Sequence, residues 1–241
     1  MSFLTAMVLS AIQGLTEFIP VSSSGHHNLF QFIFGLSPSL GLNIFLNTAT
    51  LMSVLIYFRK SLKYFFDNIL FIFIGSLPAL FVGIFLRDLV SEIYFHQQLL
   101  SLFFLVTSFL VVCTKYLKPK DVKLDYKKAI IIGLFQALAI LPGISRSGST
   151  IFAALLLGMS RGNAFNFSFS LFIPASVGAA LVDYEGLSQL DLFDPVNVLS
   201  FIVAAVIGLI ALRFLRNTLT NNNFWLFGIY TLILALLLLF I

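Results

Sequence analysis

Apolar stretches, each close to the length of a bilayer crossing, alternate with short polar loops along the whole chain. A helical crossing takes about 20 predominantly apolar residues. That pattern predicts spans at 40–58, 65–86, 99–117, 163–182, 196–212 and 224–241. Two stretches break it. Residues 2–35 and 129–159 each hold a short apolar arm, a polar tip rich in Ser and Gly, and a second short arm. Pro20 and Gly25 interrupt the first, and Pro142, Gly143 and Gly148 the second. Non-helical backbone at membrane depth is tolerated only when it is buried in protein or lines a wet cavity. Each stretch therefore reads as a re-entrant helical hairpin. Pro78 and Pro174 fall inside spans and need only be kinks.

The two hairpins are copies. A shift of 123 residues superposes Gln13 on Gln136, Leu15 on Leu138, Ser22 on Ser145, Ser24 on Ser147 and Gly25 on Gly148, and continues through Gly35 on Gly158 and Ser37 on Ser160. The copies differ where chemistry would differ: Glu17 faces Ile140, Ser23 faces Arg146, and His26 faces Ser149. One tip carries the acid and the imidazole; the other carries the cation.

Composition fixes the class. Only 10% of residues are charged and 59% are hydrophobic, against about 25% charged in a soluble domain. This is an all-α integral membrane protein, one membrane domain without room for a soluble one. Its first residues lack a basic segment and a small-residue cleavage site, and do not look like a cleaved signal peptide. A single Cys113 excludes an intrachain disulfide and a Cys-based metal site. The net charge of +4 is not a nucleic-acid signal, because the basic residues sit in short inter-helix loops.

Loop charge then sets the topology. With 59–63, 115–128, Arg161 and 213–216 on the cytoplasmic side, 12 of the 14 basic residues lie inside. The acidic loops 87–98 and 183–195 fall outside, so the first hairpin enters from outside and the second from inside. The fold expected is an inverted-topology repeat. Residues 1–117 form the first half (hairpin 2–35, spans 40–58, 65–86 and 99–117). Residues 124–241 form the second (hairpin 129–159, spans 163–182, 196–212 and 224–241). Each half is a re-entrant hairpin plus three transmembrane helices.

Polar groups inside a membrane mark function. A guanidinium such as Arg146 needs an anionic partner, and its fork matches phosphate oxygens. Ser145, Ser147, Ser149 and Thr150 supply hydroxyls around it, and Gly143 and Gly148 let backbone N–H groups approach a ligand. The helix starting near Ser149 adds its positive end. These residues, with Ser22, describe a phosphate cradle. The plainer alternative is an Arg that satisfies carbonyls at a helix break, which leaves the hydroxyls unexplained. Gln13 and Glu17 stand one helical turn apart, and a carboxylate with an amide oxygen can hold a hard divalent cation beside phosphate oxygens. Glu17 could instead act as acid or base, or simply pair with Arg146. Gln136 lacks an acid partner, which suits packing or hydrogen bonding. Ser23 and His26, three residues apart, suit a nucleophile–base pair. His27 points about 100° away and reads as structural. His96 is in an outer loop, and these histidines do not make a metal site.

Gln13-x-x-x-Glu17, Pro20-Val-Ser22-Ser23-Ser24-Gly25-His26 and Pro142-Gly143-Ile144-Ser145-Arg146-Ser147-Gly148-Ser149-Thr150 resemble the motifs of the bacitracin-resistance family of undecaprenyl-diphosphate phosphatases. The hydropathy is similar to that family throughout the chain. Its first motif position is Gln here, where Glu is commoner. The resemblance implies an enzyme that removes the terminal phosphate of undecaprenyl diphosphate, regenerating the lipid carrier for cell-wall synthesis and conferring bacitracin resistance. It implies a divalent cation, Mg2+ or Ca2+, with Gln13 and Glu17 as its protein side. It implies functional roles for Glu17, Ser23, His26 and Arg146, read here as catalytic, and for Ser145 and Thr150 beside Arg146 on the substrate's phosphates, where Ser22, Gly143 and Ser147 are further candidates. Expected partners are the polyprenyl diphosphate and membrane lipids, with no nucleic acid and with a homodimer left open. The expected location is a bacterial cytoplasmic membrane, with the site open to the outer side. Two alternatives remain at this point. A polyprenyl-phosphate transporter or flippase is suggested by the inverted repeat. A phosphatidic-acid-type phosphatase is suggested by Ser24-Gly25-His26 alone.

Overall fold

A computed structural model of the chain describes residues 2–35, 40–59, 61–86, 89, 90, 92, 93, 96, 98–182, 184–188 and 190–239. Ser37, Lys60, Arg87, Asp88 and Asp183, which entered the repeat or loop-charge reading, lie outside them. The described residues form helices and no strand. In chain order these are α1 Phe3–Phe18, α2 Ser23–Ile33, α3 Leu40–Phe58, α4 Leu62–Asp67, α5 Ile69–Phe85, α6 Gln98–Cys113, α7 Tyr126–Leu138, α8 Arg146–Leu156, α9 Arg161–Val182, α10 Tyr184–Ser188, α11 Pro195–Thr220 and α12 Leu226–Leu238.

Gly41–Phe58, Leu99–Tyr116, Arg161–Val182 and Pro195–Thr220 are long and apolar enough to cross a membrane. Phe3–Phe18, Ile69–Phe85 and Leu226–Leu238 are apolar but shorter. The protein is thus a multi-pass membrane protein. Two expected spans change shape. The span at 65–86 is broken at Asn68, whose side-chain amide donates to the Tyr64 carbonyl at 2.8 Å; a short α4 and the 17-residue α5 result. The span at 196–212 runs on to Thr220. Arg213 and Arg216 do not end it, because long cationic side chains can reach for polar partners while their backbone stays helical. Arg216 donates to the Tyr57 hydroxyl at 3.0 Å. The turn at Asn221 and Asn222, the latter with φ 60°, ends the helix instead.

The arms that follow the two tips, α2 and α8, are each 11 residues long, and the 123-residue shift carries one onto the other. Ser22 and Ser145 are their N-caps, accepting from the Gly25 and Gly148 N–H groups. A Ser at this position satisfies one of the four orphan donors of a helix start.

Arm α1 lies along α11, and α7 lies along α5. Likewise α3 packs on α11, α9 on α5, and α6 on α12. Each hairpin's leading arm therefore rests on a span from the other half of the sequence. Lipid tails offer no hydrophobic drive for helices to associate, so close backbone approach and interhelical hydrogen bonds take that role. A Cβ on Gly133 would come within 2.2 Å of the Gly75 carbonyl oxygen, and one on Gly14 within 2.8 Å of Ala204 O. Ser108 and Ser101 donate from α6 to the Gly228 and Ala235 carbonyls of α12, at 2.7 and 2.8 Å. Phe18, Phe165, Phe169 and Phe172 form an aromatic cluster beneath the tips. Many outward positions, including Phe81, Phe85, Phe109 and Ile210, remain exposed, as suits lipid contact.

Candidate active site

Glu17 sits in the last turn of α1, and Arg146 is the first residue of α8. Both are placed against the helix dipole, which disfavours an anion at a C-terminus and a cation at an N-terminus. Each charge is therefore costly alone and answered by the other. Arg146 Nη2 forms an ion pair with Glu17 Oε1 across the two tips. The other carboxylate oxygen, Oε2, accepts from Gln13 Nε2 at 2.8 Å and from Ser23 Oγ at 2.6 Å. The guanidinium also lies 3.9 Å from the centroid of the Phe172 ring. Glu17 is 7% exposed, so this network replaces water around a buried charge.

The tips touch elsewhere. Gly143 N–H donates to Ser22 Oγ at 3.1 Å, and Gly143 O accepts from Thr107 Oγ1 at 2.7 Å. Thr107 Oγ1 in turn accepts from Ser145 N–H at 2.9 Å. A Cβ on Gly25 would meet Gly143 Cα at 2.9 Å, so no larger residue fits this crossing without displacement. Ser22 has φ 67° and Gly143 has φ 96°.

A cavity of about 600 Å³ opens from this junction. At its polar end stand Gln13, Glu17, Ser22, Ser23, Ser24, Ser145 and Arg146. The rest of its lining is largely apolar and includes Phe65, Ile69, Ile72, Phe73, Leu77 and Leu80 of α4 and α5 and Pro174, Ala179 and Val182 of α9. An anion at the tips and a hydrocarbon chain along the wall would each meet matching chemistry.

Several expected site residues stand elsewhere. Ser23 and His26 do not hydrogen-bond to each other. His26 Nδ1 lies 2.8 Å from Ser22 O, a carbonyl that can only accept, so this nitrogen carries the proton. Its Nε2 then accepts from the Tyr230 hydroxyl at 2.8 Å, with the two rings stacked 5.7 Å apart. Ser23 turns instead to Glu17, because a buried carboxylate takes available donors. His27, expected to be structural, lines the cavity. Ser22 and Gly143, expected on phosphate, use the groups described above to join the tips. Thr150 Oγ1 donates to Arg146 O at 2.8 Å and lies 2.5 Å from Ser168 Oγ, while Ser147 Oγ lies 3.3 Å from Ser145 Oγ. Both belong to the base of the second tip. The cap on Gly148 leaves the earlier N–H groups of α8 without helical partners.

Among the described residues, no three His, Cys, Asp or Glu side chains gather around one point. Glu17 is the single carboxylate of the site among the described residues, both its oxygens accept hydrogen bonds, and Gln13 turns its Nε2 towards it. That donor set suits a cation brought in on substrate phosphates better than one held in a protein cage.

Thr107, Phe172 and Tyr230 were not found by sequence reading. One signal was available for two of them: the same shift of 123 carries Thr107 onto Tyr230, and each braces the tip of the other half. A ring under a guanidinium, by contrast, has no mark among 29 phenylalanines.

A family model described as bacitracin resistance protein BacA matches residues 6–237. A protein of Thermosipho melanesiensis named undecaprenyl-diphosphatase is 36% identical, over 95% of this chain and 96% of its own. One of Desulfosudis oleivorans with the same name is 38% identical, over 95% and 94%. One of Methanococcus vannielii, again so named, is 35% identical, over 97% and 98%.

Proposed function

The chain belongs to the bacitracin resistance protein BacA family, and we propose that it hydrolyses undecaprenyl diphosphate to undecaprenyl phosphate and inorganic phosphate. It is an enzyme, an undecaprenyl-diphosphatase of the membrane, as its relatives are named. The product is the lipid carrier that cell-wall synthesis reuses. The observation that carries this reading is the Ser23–Glu17–Arg146 chain at the polar end of a cavity whose other wall is apolar. The transporter alternative has no feature here that a phosphatase lacks.

Ser23 Oγ attacks the terminal phosphorus and passes its proton to Glu17 Oε2, 2.6 Å away. The phosphorus–oxygen bond to the lipid phosphate breaks, and undecaprenyl phosphate leaves. Arg146 spreads the negative charge on the terminal phosphate, aided by the first-turn N–H groups of α8. Glu17 releases the serine proton to solvent; water then attacks the phosphoserine, Glu17 taking its proton and returning it to Ser23 Oγ as the serine–phosphorus bond breaks and phosphate departs. Arg146 must share itself between Glu17 and substrate, which frees Glu17 to act as base at the moment phosphate arrives. A divalent cation, Mg2+ or Ca2+, would be held by Glu17 and Gln13 with the diphosphate's own oxygens, and would supply charge neutralisation. His26 serves by fixing Ser22 and the turn that presents Ser23.

The inverted repeat with re-entrant hairpins is supported by the equal α2 and α8, their matching caps, and the crosswise packing of α1 on α11 and α7 on α5. The halves are 1–117 and 124–241. The location is a bacterial cytoplasmic membrane. An outward-opening cavity is supported by its lining residues Gly83, Val90, Ala179 and Val182, at the helix ends remote from Lys123 and Asn163.

Purified protein should release phosphate from undecaprenyl diphosphate, and rapid acid quench should trap phosphate on Ser23. Ser23→Ala should lose the trapped species and more than about nine-tenths of the rate, a barrier rise above roughly 1.4 kcal/mol. A variant that keeps its rate would instead make water the direct nucleophile. Chelators should lower turnover of the wild type; no effect would remove the cation from the reading.

A further inference from the structure

Gln136 occupies in α7 the position that Gln13 occupies in α1, under the shift of 123. The Gln13 amide nitrogen has partners: Nε2 donates to Glu17 at 2.8 Å and approaches Thr50 Oγ1 at 3.4 Å. Gln136 has Ile140 where Gln13 has Glu17, and the consequence is plain in the structure. It is 2% exposed, and among the described residues neither its Oε1 nor its Nε2 has a hydrogen-bond partner. Yet its side chain lines the cavity. An amide buried without partners costs the full desolvation of its polar atoms. Such a group is worth explaining by what arrives later.

Resting on the phosphatase reading above, we infer that Gln136 is a substrate-binding residue, donating its amide N–H to the lipid-bearing phosphate of the diphosphate and of the product monophosphate. The terminal phosphate has its place at Ser23, Glu17 and Arg146, on the two tips. Gln136 stands on the arm packed along α5, and α5 carries Ile72, Leu77 and Leu80 of the apolar wall. Gln136 therefore belongs to the arm that borders the apolar wall, where phosphate gives way to hydrocarbon. A neutral donor suits that place. It holds the leaving phosphate without the Coulombic grip that would slow its departure, and it binds substrate and product alike.

Gln136→Met keeps the length and removes the polar atoms. If the amide has no partner until substrate binds, this change removes an unpaid desolvation cost in the free protein and a hydrogen bond in the complex. Inhibition of phosphate release by undecaprenyl phosphate and by inorganic phosphate would be measured on wild type and variant in detergent, with thermal unfolding of each. The expected result is a rise of about tenfold in the inhibition constant of undecaprenyl phosphate, that of inorganic phosphate being unchanged, and a melting point equal or higher. An unchanged constant for undecaprenyl phosphate overturns the inference. So does a variant that melts lower or fails to fold, since it would reveal a structural partner for the amide. A shift for inorganic phosphate alone would move Gln136 to the terminal phosphate and equally overturn it. A wild type that releases no phosphate would instead sink the phosphatase reading. Direct binding of undecaprenyl phosphate to both proteins would then still test Gln136.

Discussion

The two tips share a plan but solve their turn differently. Ser22 and Ser145 occupy matched positions and both cap an 11-residue helix, yet Ser145 has φ −75° and Ser22 has φ 67°. The cause lies two residues earlier. The second tip has Gly143, which takes φ 96° at no steric cost. The matched residue of the first tip is Pro20, whose ring forbids a positive φ. The left-handed residue is thereby displaced to Ser22, next to Ser23. A non-Gly residue held there costs on the order of 1–3 kcal/mol and persists only where its surroundings fix it. His26 supplies that fixing through Ser22 O, and Gly143 N–H through Ser22 Oγ. One tip is relaxed and carries the cation. The other is strained, and carries the acid and the hydroxyl.

Breaking the link between the tips should produce the largest effect. Glu17→Gln removes the proton acceptor of Ser23 and the partner of Arg146 together. We expect kcat/KM for phosphate release to fall by roughly 10³-fold, in line with loss of a general base and more. Retention of a tenth of the activity would show that the tips communicate by another route. Arg146→Lys keeps the charge but loses the fork and the flat face against Phe172. A loss of roughly 10²-fold is expected, similar to losing one oxyanion donor. A near-normal rate in correctly folded protein would reduce Arg146 to a structural partner of Glu17.

The hairpins, their offset and the meeting of Glu17 with Arg146 follow from patterns that local sequence carries: polar residues in apolar arms, and two unpaired opposite charges. The hydrogen-bond partner of Ser23 differs from the one its spacing suggests, for a definable reason. Spacing of three on a helix permits a contact with His26, but it cannot weigh that contact against a carboxylate folded back from six residues earlier. Likewise, Arg213 and Arg216 looked like the end of a span, although a charged side chain ends hydrophobicity without ending a helix. Residues that brace a tip from afar, such as Thr107, become visible only when the helices are packed.

Thr107 gives the next smaller effect, and sharpens the comparison from the relaxed side. Thr107→Val preserves shape and loses both the bond to Gly143 O and the acceptor for Ser145 N–H. Turnover should fall about tenfold, with two hydrogen bonds at stake in the backbone that carries Arg146. Melting should drop as well, because those two backbone groups are buried. A drop in melting with unchanged turnover would mean that the second tip holds its geometry without the brace.

The smallest effect, and the finest test of the contrast, is Tyr230→Phe. The matched brace of the strained tip reaches it indirectly, through His26. Phe keeps the ring stacked on the imidazole and removes only the hydroxyl, leaving the bond from His26 Nδ1 to Ser22 O in place. If His26 works by holding Ser22, the strained turn survives, and turnover should fall only a few-fold, roughly the worth of one neutral hydrogen bond. The pH dependence of kcat should not move. His26→Ala, which releases Ser22 itself, should cost far more. If His26 were instead the base that serves Ser23, its Nε2 would have to leave Tyr230 to do so. Tyr230→Phe would then remove a competitor for that nitrogen, raise or preserve the rate, and shift the pH profile. The sign of the rate change, read with the profile, decides whether the imidazole on the strained tip is a strut or a proton carrier.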